Sequence, residues 1–321
     1  MDIAPLSPTD DDAVYLVAKA TAEGETPDIP FWSRTAFTGR LRTPWAGTIS
    51  EHYVARVDGG CVAGLLQLHL PQQENTANVT VELSVDPACR RRGVGRALYE
   101  VAVERARALG RRNLQGQSVD AHPDGPAFAA AMGATVGLRE VRSRQEVADF
   151  DTLGLDVPTA DSYHLVRWGR TPDELVDDVA YLEGRLFGDS PTGDLGWEPE
   201  KVDAARIRAA EESHAARGRT CFNTGAVHAA SGRLVAWTLI TAPDEARWHA
   251  WQQITLVDPG HRGHRLGLAV KVDNLRHVRQ ARPELRAVDT FNAADNAAMI
   301  RVNERLGYRV REEWTYWTAT V

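Results

Sequence analysis

The sequence predicts an α/β protein made of two copies of one domain. Residues 85–97 read Val-Asp-Pro-Ala-Cys-Arg-Arg-Arg-Gly-Val-Gly-Arg-Ala, and residues 257–269 read Val-Asp-Pro-Gly-His-Arg-Gly-His-Arg-Leu-Gly-Leu-Ala. The copies lie 172 positions apart in a chain of 321 residues. A repeat at about half the chain length indicates duplicated domains rather than short solenoid repeats. Each copy has a strand, a basic glycine loop and a helix, an arrangement suited to anions.

Both halves begin with a strand and a signal for the start of a helix. Residues 2–6 and 163–168 are strand-like. Each is followed by a Ser or Thr cap, a proline and then an acid, in Ser7-Pro8-Thr9-Asp10 and Thr171-Pro172-Asp173-Glu174. These signals predict a helix after each strand.

The segments that follow also correspond between the halves. We expect irregular stretches over 24–50 and 187–200. A hairpin then follows in each half, because turn residues separate short apolar runs. The hairpin strands are 53–57 with 62–70, and 227–229 with 234–240.

The central strand of the first half alternates along 79–85. Its odd positions hold valine or leucine, and its even positions hold Thr80, Glu82 and Ser84. This pattern predicts a strand with one apolar and one polar face. The strand leads through the loop into a helix over 94–109, as 251–257 leads into a helix over 266–281.

A further strand and helix are expected to close each half. They lie at 113–119 and 126–132 in the first half, and at 287–291 and 294–306 in the second, before a last strand at 312–319. Residues 150–161 have the composition of a linker. We therefore expect one domain over 1–155 and another over 160–321.

Composition narrows the class of protein. With 43% hydrophobic and 25% charged residues the chain is typical of globular proteins. It lacks the run of about 20 apolar residues that a membrane span needs, and its start lacks the features of a signal peptide, so we expect a cytoplasmic protein. A net charge of −7 disfavours nucleic acid as a partner. Cys61, Cys89 and Cys221 form neither a disulfide pattern nor a metal pattern, and we expect no metal site.

The basic loop Arg90–Arg96 has the properties of a phosphate site. Glycine lets the backbone approach a bound group closely, and the free N–H groups at a helix start attract anions. A tight turn with a solvated basic rim would have the same composition. The second copy at matching positions favours phosphate binding.

These residues resemble a known family. Arg90-x-x-Gly93-x-Gly95, after Val-Asp-Pro and before a helix, resembles the acyl-CoA signature of the GNAT N-acetyltransferase superfamily. The second copy matches at Arg262 and Gly267 but has Arg265 in place of the first motif glycine. Residues 290–308 resemble the closing strand and helix of that superfamily. The resemblance covers nearly the whole chain and is to tandem GNAT proteins of the mycothiol-synthase-like architecture.

The resemblance implies two tandem GNAT domains, each with a mixed α+β sheet whose central strands splay apart around acetyl-CoA or another short acyl-CoA. Strand backbone would bind the pantetheine arm, loop amides the diphosphate, and two asparagines the far side of the cofactor. The implied cofactor-binding residues are Leu83, Ser84, Val85, Arg90, Arg91, Arg92, Gly93, Val94, Gly95, Arg96, Thr255, Leu256, Val257, Arg262, Gly263, His264, Arg265, Leu266, Gly267, Leu268, Asn292 and Asn296. For Asn292 and Asn296, a turn residue and a helix cap are equally open readings.

The implied reaction is attack of an amine on a thioester, which needs a base. An amine with a pKa near 10 is neutral in only about one molecule in 10³ at pH 7. Glu82 is the candidate catalytic base, because it lies on the polar strand face and many GNAT enzymes use a carboxylate on this strand. Alternatively, Glu82 only solvates the sheet face or pairs with an arginine. Its counterpart in the second half is Ile254.

The remaining candidates leave the catalytic half open. Many family members have a tyrosine acid on the last helix, but the aligned positions here are Ala129 and Asn303, and we expect Tyr308 to serve packing. The first half retains both glycines and Glu82, and the second retains the closing motif. The resemblance to mycothiol-synthase-like proteins implies that the second half carries the chemistry, whereas Glu82 favours the first. Tryptophans are concentrated in the second half, as core packing or as a wall of an acceptor pocket: Trp237, Trp248, Trp251, Trp314 and Trp317.

We therefore expect an N-acetyltransferase, monomeric or homodimeric, that acts on a small-molecule amine such as a metabolite, an amino sugar or an antibiotic. A non-catalytic acyl-CoA-binding or sensing protein is one alternative. A protein N-acetyltransferase is another, because the acidic net charge suits basic peptides. Fold resemblance alone does not choose among these functions.

Overall fold

The computed structural model describes residues 1–321, apart from the side chain of Asp151, and contains two compact units. The first unit holds residues 1–139, 193–197 and 313–321, and the second holds residues 140–192 and 198–312. Each unit therefore includes residues from both halves of the sequence.

The strands and helices alternate in the order expected of an α/β protein. The strands are β1 (Asp2–Pro5), β2 (Thr48–Val57), β3 (Cys61–Pro71), β4 (Asn78–Val85), β5 (Asn113–Val119), β6 (Thr135–Glu146), β7 (Tyr163–Trp168), β8 (Arg219–His228), β9 (Leu234–Pro243), β10 (His249–Val257), β11 (Ala287–Ala293) and β12 (Arg309–Thr320). The helices are α1 (Asp11–Glu25), α2 (Arg34–Arg42), α3 (Val94–Ala108), α4 (Asp124–Ala131), α5 (Val147–Thr152), α6 (Val176–Glu183), α7 (Leu186–Asp189), α8 (Ala204–Ala216), α9 (Leu266–Ala281) and α10 (Ala297–Arg305).

The two units have the same strand order. In the first unit the order is β1-β2-β3-β4-β5-β12, and in the second it is β7-β8-β9-β10-β11-β6. The last strand is antiparallel to its neighbour in both, since β12 pairs with β5 and β6 pairs with β11. The first unit is thus closed by the final strand of the chain, and the second by a strand from the first half of the sequence.

The central strands splay apart in both units, as the resemblance implies. The parallel pair β4 and β5 is hydrogen-bonded only where Asn78–Thr80 face Asn113–Gln115. The corresponding pair β10 and β11 is joined only where His249–Trp251 face Ala287–Asp289. Beyond these three residue pairs the strands separate. The predicted fold class, two GNAT domains with splayed central strands, is confirmed.

Helices cover both faces of each sheet. In the first unit, α3 packs Leu98 and Ala102 against Leu66 and Leu68 of β3. On the opposite face, α1 and α2 pack against Leu65. In the second unit, α9 covers Ile240 and Val288, while α6 and α8 cover the face that holds Trp237 and Ile254.

Several elements differ from the sequence-based expectation. The segment 24–50 is not irregular throughout, because it contains α2 and the first residues of β2. The sequence of α2, with three arginines and Gly39, does not have a clear helical pattern. The side chain of Ser33 caps the start of this helix. Neither β6 nor α8 was expected.

Candidate active site

The two basic loops share one backbone conformation although their glycines differ. In the first loop Arg91 and Gly93 have left-handed φ values of +62° and +84°. The matching residues of the second loop, Gly263 and Arg265, have φ values of +84° and +59°. Each loop thus places one glycine and one arginine at the same two positions, in opposite order. Arg265 takes the conformation of the motif glycine it replaces, at a strain of about 1 kcal/mol.

The first motif arginine of each loop contacts a strand carbonyl and at least one carboxylate. Nε of Arg90 donates to the carbonyl oxygen of Val85 at 3.4 Å, and its guanidinium pairs with Glu25 at 2.9 Å and Asp124 at 2.7 Å. Arg262 repeats this pattern, since its Nε donates to Val257 at 3.3 Å and its guanidinium pairs with Asp189 at 2.8 Å.

These contacts leave other groups of the loops for an anion. The free N–H groups at the start of α3 and α9 point toward the loops. In the first loop the side chains of Arg91, Arg92 and Arg96 are exposed. The side chains of Val94, Leu266 and Leu268 are buried, so these three can contribute only main-chain groups.

A cleft of about 350 Å³ opens beside the first loop. Its size is at the lower end of the range for small-ligand sites, roughly 300–1,000 Å³. Apolar walls and the basic loop meet there, as pantetheine and diphosphate require, so these residues fit the phosphate-bearing thiol ester that the family uses. Residues at its wall include Leu83, Val85, Arg91, Gly93, Gly95 and Phe128.

Gly95 keeps the wall of this cleft open. A Cβ atom at Gly95 would lie 3.2 Å from Cε2 of Phe128 and 3.6 Å from a methyl group of Val85. In the second loop, a Cβ at Gly267 would meet methyl groups of Val257 and Thr255 at 3.5 and 3.9 Å, which are ordinary contacts.

The two candidate asparagines are occupied by contacts within their own unit. Oδ1 of Asn296 accepts from the backbone N–H of Met299 at 3.1 Å, so Asn296 caps α10, as the alternative reading held. Oδ1 of Asn292 accepts from Nδ2 of Asn303 at 2.7 Å. Contact of either asparagine with a cofactor stays a prediction.

Glu82 lies at the splayed end of β4, and its carboxylate pairs with Arg40 of α2. It also contacts Nε2 of His69 at 3.2 Å and Nε2 of Gln67 at 3.3 Å. Burial raises the pKa of Glu82, but Arg40 and His69 outweigh it and hold that pKa well below its ordinary value. Glu82 is therefore a carboxylate at neutral pH, and its pairing with an arginine matches the alternative stated for it.

A row of polar side chains extends from Glu82 across the sheet. The register places Gln67 opposite Glu82 and His52 opposite Gln67. In the next row, Nδ1 of His69 contacts Oγ of Ser50 at 2.9 Å. Burial, followed by the charges of His69 and Arg40, lowers the pKa of His52 to about 4, so His52 is neutral at pH 7.

These partners of Glu82 were not recognised in the sequence. Arg40 lies in α2, which was not predicted. Gln67 and His69 occupy alternate positions in the apolar strand 62–70 and are 5% and 7% exposed. Polar residues at buried positions of an apolar strand are the signal that would have indicated them.

The second unit has no carboxylate at the corresponding position. Ile254 is 9% exposed and packs in an apolar cluster with Trp237 and Leu256. The pairing of β10 with β9 is irregular between Gln252 and Ile254, which indicates a bulge there. The expected packing role of Tyr308 is supported, because its side chain is 5% exposed in the core and burial raises its pKa.

The tryptophans of the second half make packing contacts. Trp237 is 4% exposed within the core, and the ring of Trp251 stacks on Phe291 with centroids 5.6 Å apart. Nε1 of Trp317 donates to Oγ of Ser118 at 2.8 Å. Among the residues that the structure describes, no group of three His, Cys, Asp or Glu side chains could hold a metal ion. None of the described helices is long and apolar enough to cross a membrane.

Comparisons with known proteins agree with this geometry. The model of the acetyltransferase (GNAT) family matches residues 18–128. The mycothiol acetyltransferase of Mycobacteroides abscessus is 31% identical over 270 residues, which cover 82% of this chain and 83% of that protein. The mycothiol acetyltransferase of Actinosynnema mirum is 30% identical over 279 residues, 84% of this chain and 83% of that protein.

Solved structures give the same result. A tandem GNAT protein from the clavulanic acid biosynthesis pathway is 34% identical with a TM-score of 0.83, covering 99% of this chain and 98% of that one. A GCN5-related N-acetyltransferase from Sphaerobacter thermophilus shares the fold, with a TM-score of 0.69 and 17% identity over 99% of this chain and 95% of that one. The chain belongs to the GNAT family of acetyltransferases, and it is a tandem GNAT acyltransferase.

Proposed function

We propose that this protein transfers an acetyl group from acetyl-CoA to the amine of a small molecule, and that the transfer takes place in the first unit. The observation that carries this proposal is the position of Glu82. It lies at the splayed end of β4, with its side chain 41% exposed, while Ile254 occupies the matching place in the second unit. The family-model match to residues 18–128 supports the same unit.

Each group of the first unit has a role in this proposal. The loop amides from 90 to 96, with Arg91, Arg92 and Arg96, hold the diphosphate, and the backbone of Leu83–Val85 holds the pantetheine arm. Acetyl-CoA supplies a thioester carbonyl for the amine to attack. Main-chain N–H groups of β4 that β5 no longer pairs are available to the carbonyl oxygen.

Glu82 accepts a proton from the amine. Deprotonating an amine of pKa near 10 at pH 7 requires about 4 kcal/mol, and a positioned base offsets part of it. The low pKa of Glu82 makes its carboxylate a weak base while Arg40 holds it. We therefore infer that Glu82 separates from Arg40 when an acceptor binds.

No side chain needs to protonate the departing thiolate. The position where many relatives have tyrosine is Ala129 in the first unit. A CoA thiol resembles that of cysteine, whose pKa is about 8.5, so its thiolate is a tolerable leaving group. The second loop, from 262 to 268 with Thr255–Val257, is proposed as a second acyl-CoA site without a base.

A thiol-release assay tests the proposal. The purified protein is mixed with acetyl-CoA and a panel of small amines, and free CoA thiol is followed with a thiol reagent. Thiol release that depends on both protein and amine is expected, with the acetylated amine identified by mass spectrometry. Acetyl-CoA binding in calorimetry without any amine-dependent release would contradict the proposal and favour a non-catalytic acyl-CoA-binding protein.

A further inference from the structure

The ion pair between Arg40 and Glu82 joins two groups of different accessibility. The Arg40 side chain is 11% exposed and lies over the ring of Trp32, 4.8 Å from its centroid. The Glu82 side chain, by contrast, is 41% exposed at the splayed end of β4. A ligand that enters beside Glu82 therefore meets a carboxylate first and a fixed guanidinium behind it.

The hydrogen-bond capacity of Arg40 is largely unused. A guanidinium has five N–H donors arranged to grip a carboxylate with two parallel bonds. Among the described residues, the guanidinium of Arg40 donates only to Glu82. Replacing that partner by another carboxylate preserves the charge balance of Arg40 and allows a two-bond contact.

Two buried polar atoms beside this pair lack partners among the described residues. Oε1 of Gln67 accepts no hydrogen bond, although Nε2 of the same side chain donates to Glu82 and the residue is only 5% exposed. Nε2 of His52, the next residue across the sheet, is also unpaired. Buried polar groups without partners are uncommon in native proteins, so a ligand or water is expected to complete them.

The two unpaired atoms differ in what they can bind. Gln67 Oε1 is an acceptor only, and together with Glu82 it offers two acceptors to an ammonium group, which has three N–H donors. His52 is neutral at pH 7 and can donate an N–H group beside the positive charge of Arg40. Hydrogen-bond acceptors thus lie beside Glu82, and hydrogen-bond donors lie beside Arg40.

We propose that the acceptor is an amino-carboxylate, a molecule with an ammonium and a carboxylate group. The ammonium lies between Glu82 and Gln67, and the carboxylate lies on Arg40 and His52. Such a zwitterion enters between the two ions, and each ion exchanges one oppositely charged partner for another. This inference rests on the proposed function, because it takes the first unit as the place of acetyl transfer.

The reaction balances with these groups. The ammonium gives one proton to Glu82, and its nitrogen then bonds to the carbonyl carbon of the thioester. The carbon–sulfur bond breaks, and the second proton of the nitrogen goes to the sulfur, which leaves as the free thiol. Glu82 returns its proton to solvent and pairs with Arg40 again when the acetylated product leaves.

An amine without a carboxylate has a defined disadvantage in this site. Drawing Glu82 away from Arg40 would leave the buried guanidinium unpaired next to a second positive charge. Sites built around a polar partner discriminate strongly against analogues that lack it. We expect kcat/KM to be about 10²-fold lower for the matching amine or amide.

Pairs of acceptors test this inference without any mutation. Glycine, β-alanine and γ-aminobutyrate place the two charges at increasing separations, and each is compared with its own amide in the thiol-release assay. The inference expects at least one amino acid to exceed its amide by about 10² in kcat/KM. Equal rates for acids and amides at every separation would overturn it.

Variants of α2 test whether Arg40 causes the preference for amino acids over their amides. Arg40→Gln should reduce the acid-to-amide ratio to about one, mainly by lowering kcat/KM for the acid, and Arg40→Lys should retain part of the ratio. Arg34→Gln, an exposed arginine of the same helix that pairs with Asp12, is the matched control and should leave the ratio unchanged. An acid-to-amide ratio that is unchanged in a folded Arg40→Gln variant would overturn the inference.

Absence of turnover with every amine would instead contradict the proposed function, and the proposed acceptor class with it.

Discussion

In the first unit the splayed strand carries Glu82 within a row of polar side chains, and in the second unit the same place holds Ile254 in an apolar cluster. The loops beside these strands nevertheless have the same left-handed positions and the same internal arginine brace. Both copies therefore share one loop backbone, while a carboxylate lies at the matching strand position in the first unit alone.

The comparison also separates two roles of arginine in the signature. Arg90 and Arg262 each pair with a carboxylate and donate to a strand carbonyl, and the Arg262 side chain is 52% exposed. The charge that remains for a ligand in the first loop is that of Arg91, Arg92 and Arg96. The second loop has Gly263, His264 and Leu268 in place of those three arginines, and it has Arg265 in place of Gly93. The duplicated motif thus retains its backbone while its charged side chains differ.

The largest expected effect tests the difference at Glu82. Glu82→Gln should lower kcat by roughly 10²–10⁴, because the amide cannot accept the proton of the amine. The affinity for acetyl-CoA should change little, since Glu82 is not among the residues that line the cleft beside the loop. Steady-state rates and calorimetry measure the two quantities.

Glu104→Gln, an exposed carboxylate on α3, is the control for loss of a charge in the same unit. Its kcat should equal that of the unaltered protein. An unchanged rate in Glu82→Gln would move the chemistry to the second unit.

A smaller effect distinguishes the two acyl-CoA clefts. Gly95→Trp should collide with Phe128 and fill the first cleft, lowering turnover and acetyl-CoA affinity by about 10². Gly267→Trp changes the second loop alone and should lower the binding stoichiometry without lowering turnover. The proposed division of labour fails if Gly267→Trp is the variant that loses activity. Calorimetric stoichiometry and thiol release, measured on both variants, decide this.

The comparison shows what sequence can and cannot provide. The loops and the central strands were predictable, because glycine, arginine and alternating valine carry local information. The splay of the strands was expected only from the resemblance to the GNAT superfamily. The setting of Glu82 was not, because Arg40, Gln67 and His69 meet it only through strand register and the packing of α2. The closing of the first unit by β12 and of the second by β6 was not predictable either, because local pattern does not specify which distant strands pair.

A third difference lies under the helix that follows each loop. Lys271 of α9 occupies the position of Tyr99 in α3 and is 3% exposed. It forms no ion pair with a described side chain and lies 5.4 Å from the ring centroid of Tyr308. Burial lowers the pKa of Lys271 to about 7. The amine is therefore largely neutral in the folded protein above that pH.

This burial predicts a pH dependence of stability. Between pH 7 and the ordinary lysine pKa of about 10.4, the unfolded chain binds a proton that the folded protein does not. The free energy of unfolding should therefore rise with pH in this window and lose that contribution as pH falls toward 7. Lys271→Met should remove the dependence and raise stability at pH 7 by about 4 kcal/mol. Denaturant unfolding of both proteins at pH 7 and pH 9 measures the free energy of unfolding. The same change between the two pH values in both proteins would contradict a neutral Lys271.

The smallest expected effect tests the left-handed backbone of one glycine in each loop. Gly93 and Gly263 both have φ of +84°, and a Cβ atom would meet nothing within 4 Å at either position. Alanine at either glycine should therefore destabilise the protein through backbone conformation alone, by about 1 kcal/mol in each case. Gly24→Ala, inside α1 with equally open space, should instead stabilise it by about 0.5–1 kcal/mol. Thermal unfolding of the three variants measures this, and no loss of stability in Gly93→Ala or in Gly263→Ala would contradict the left-handed φ at that position.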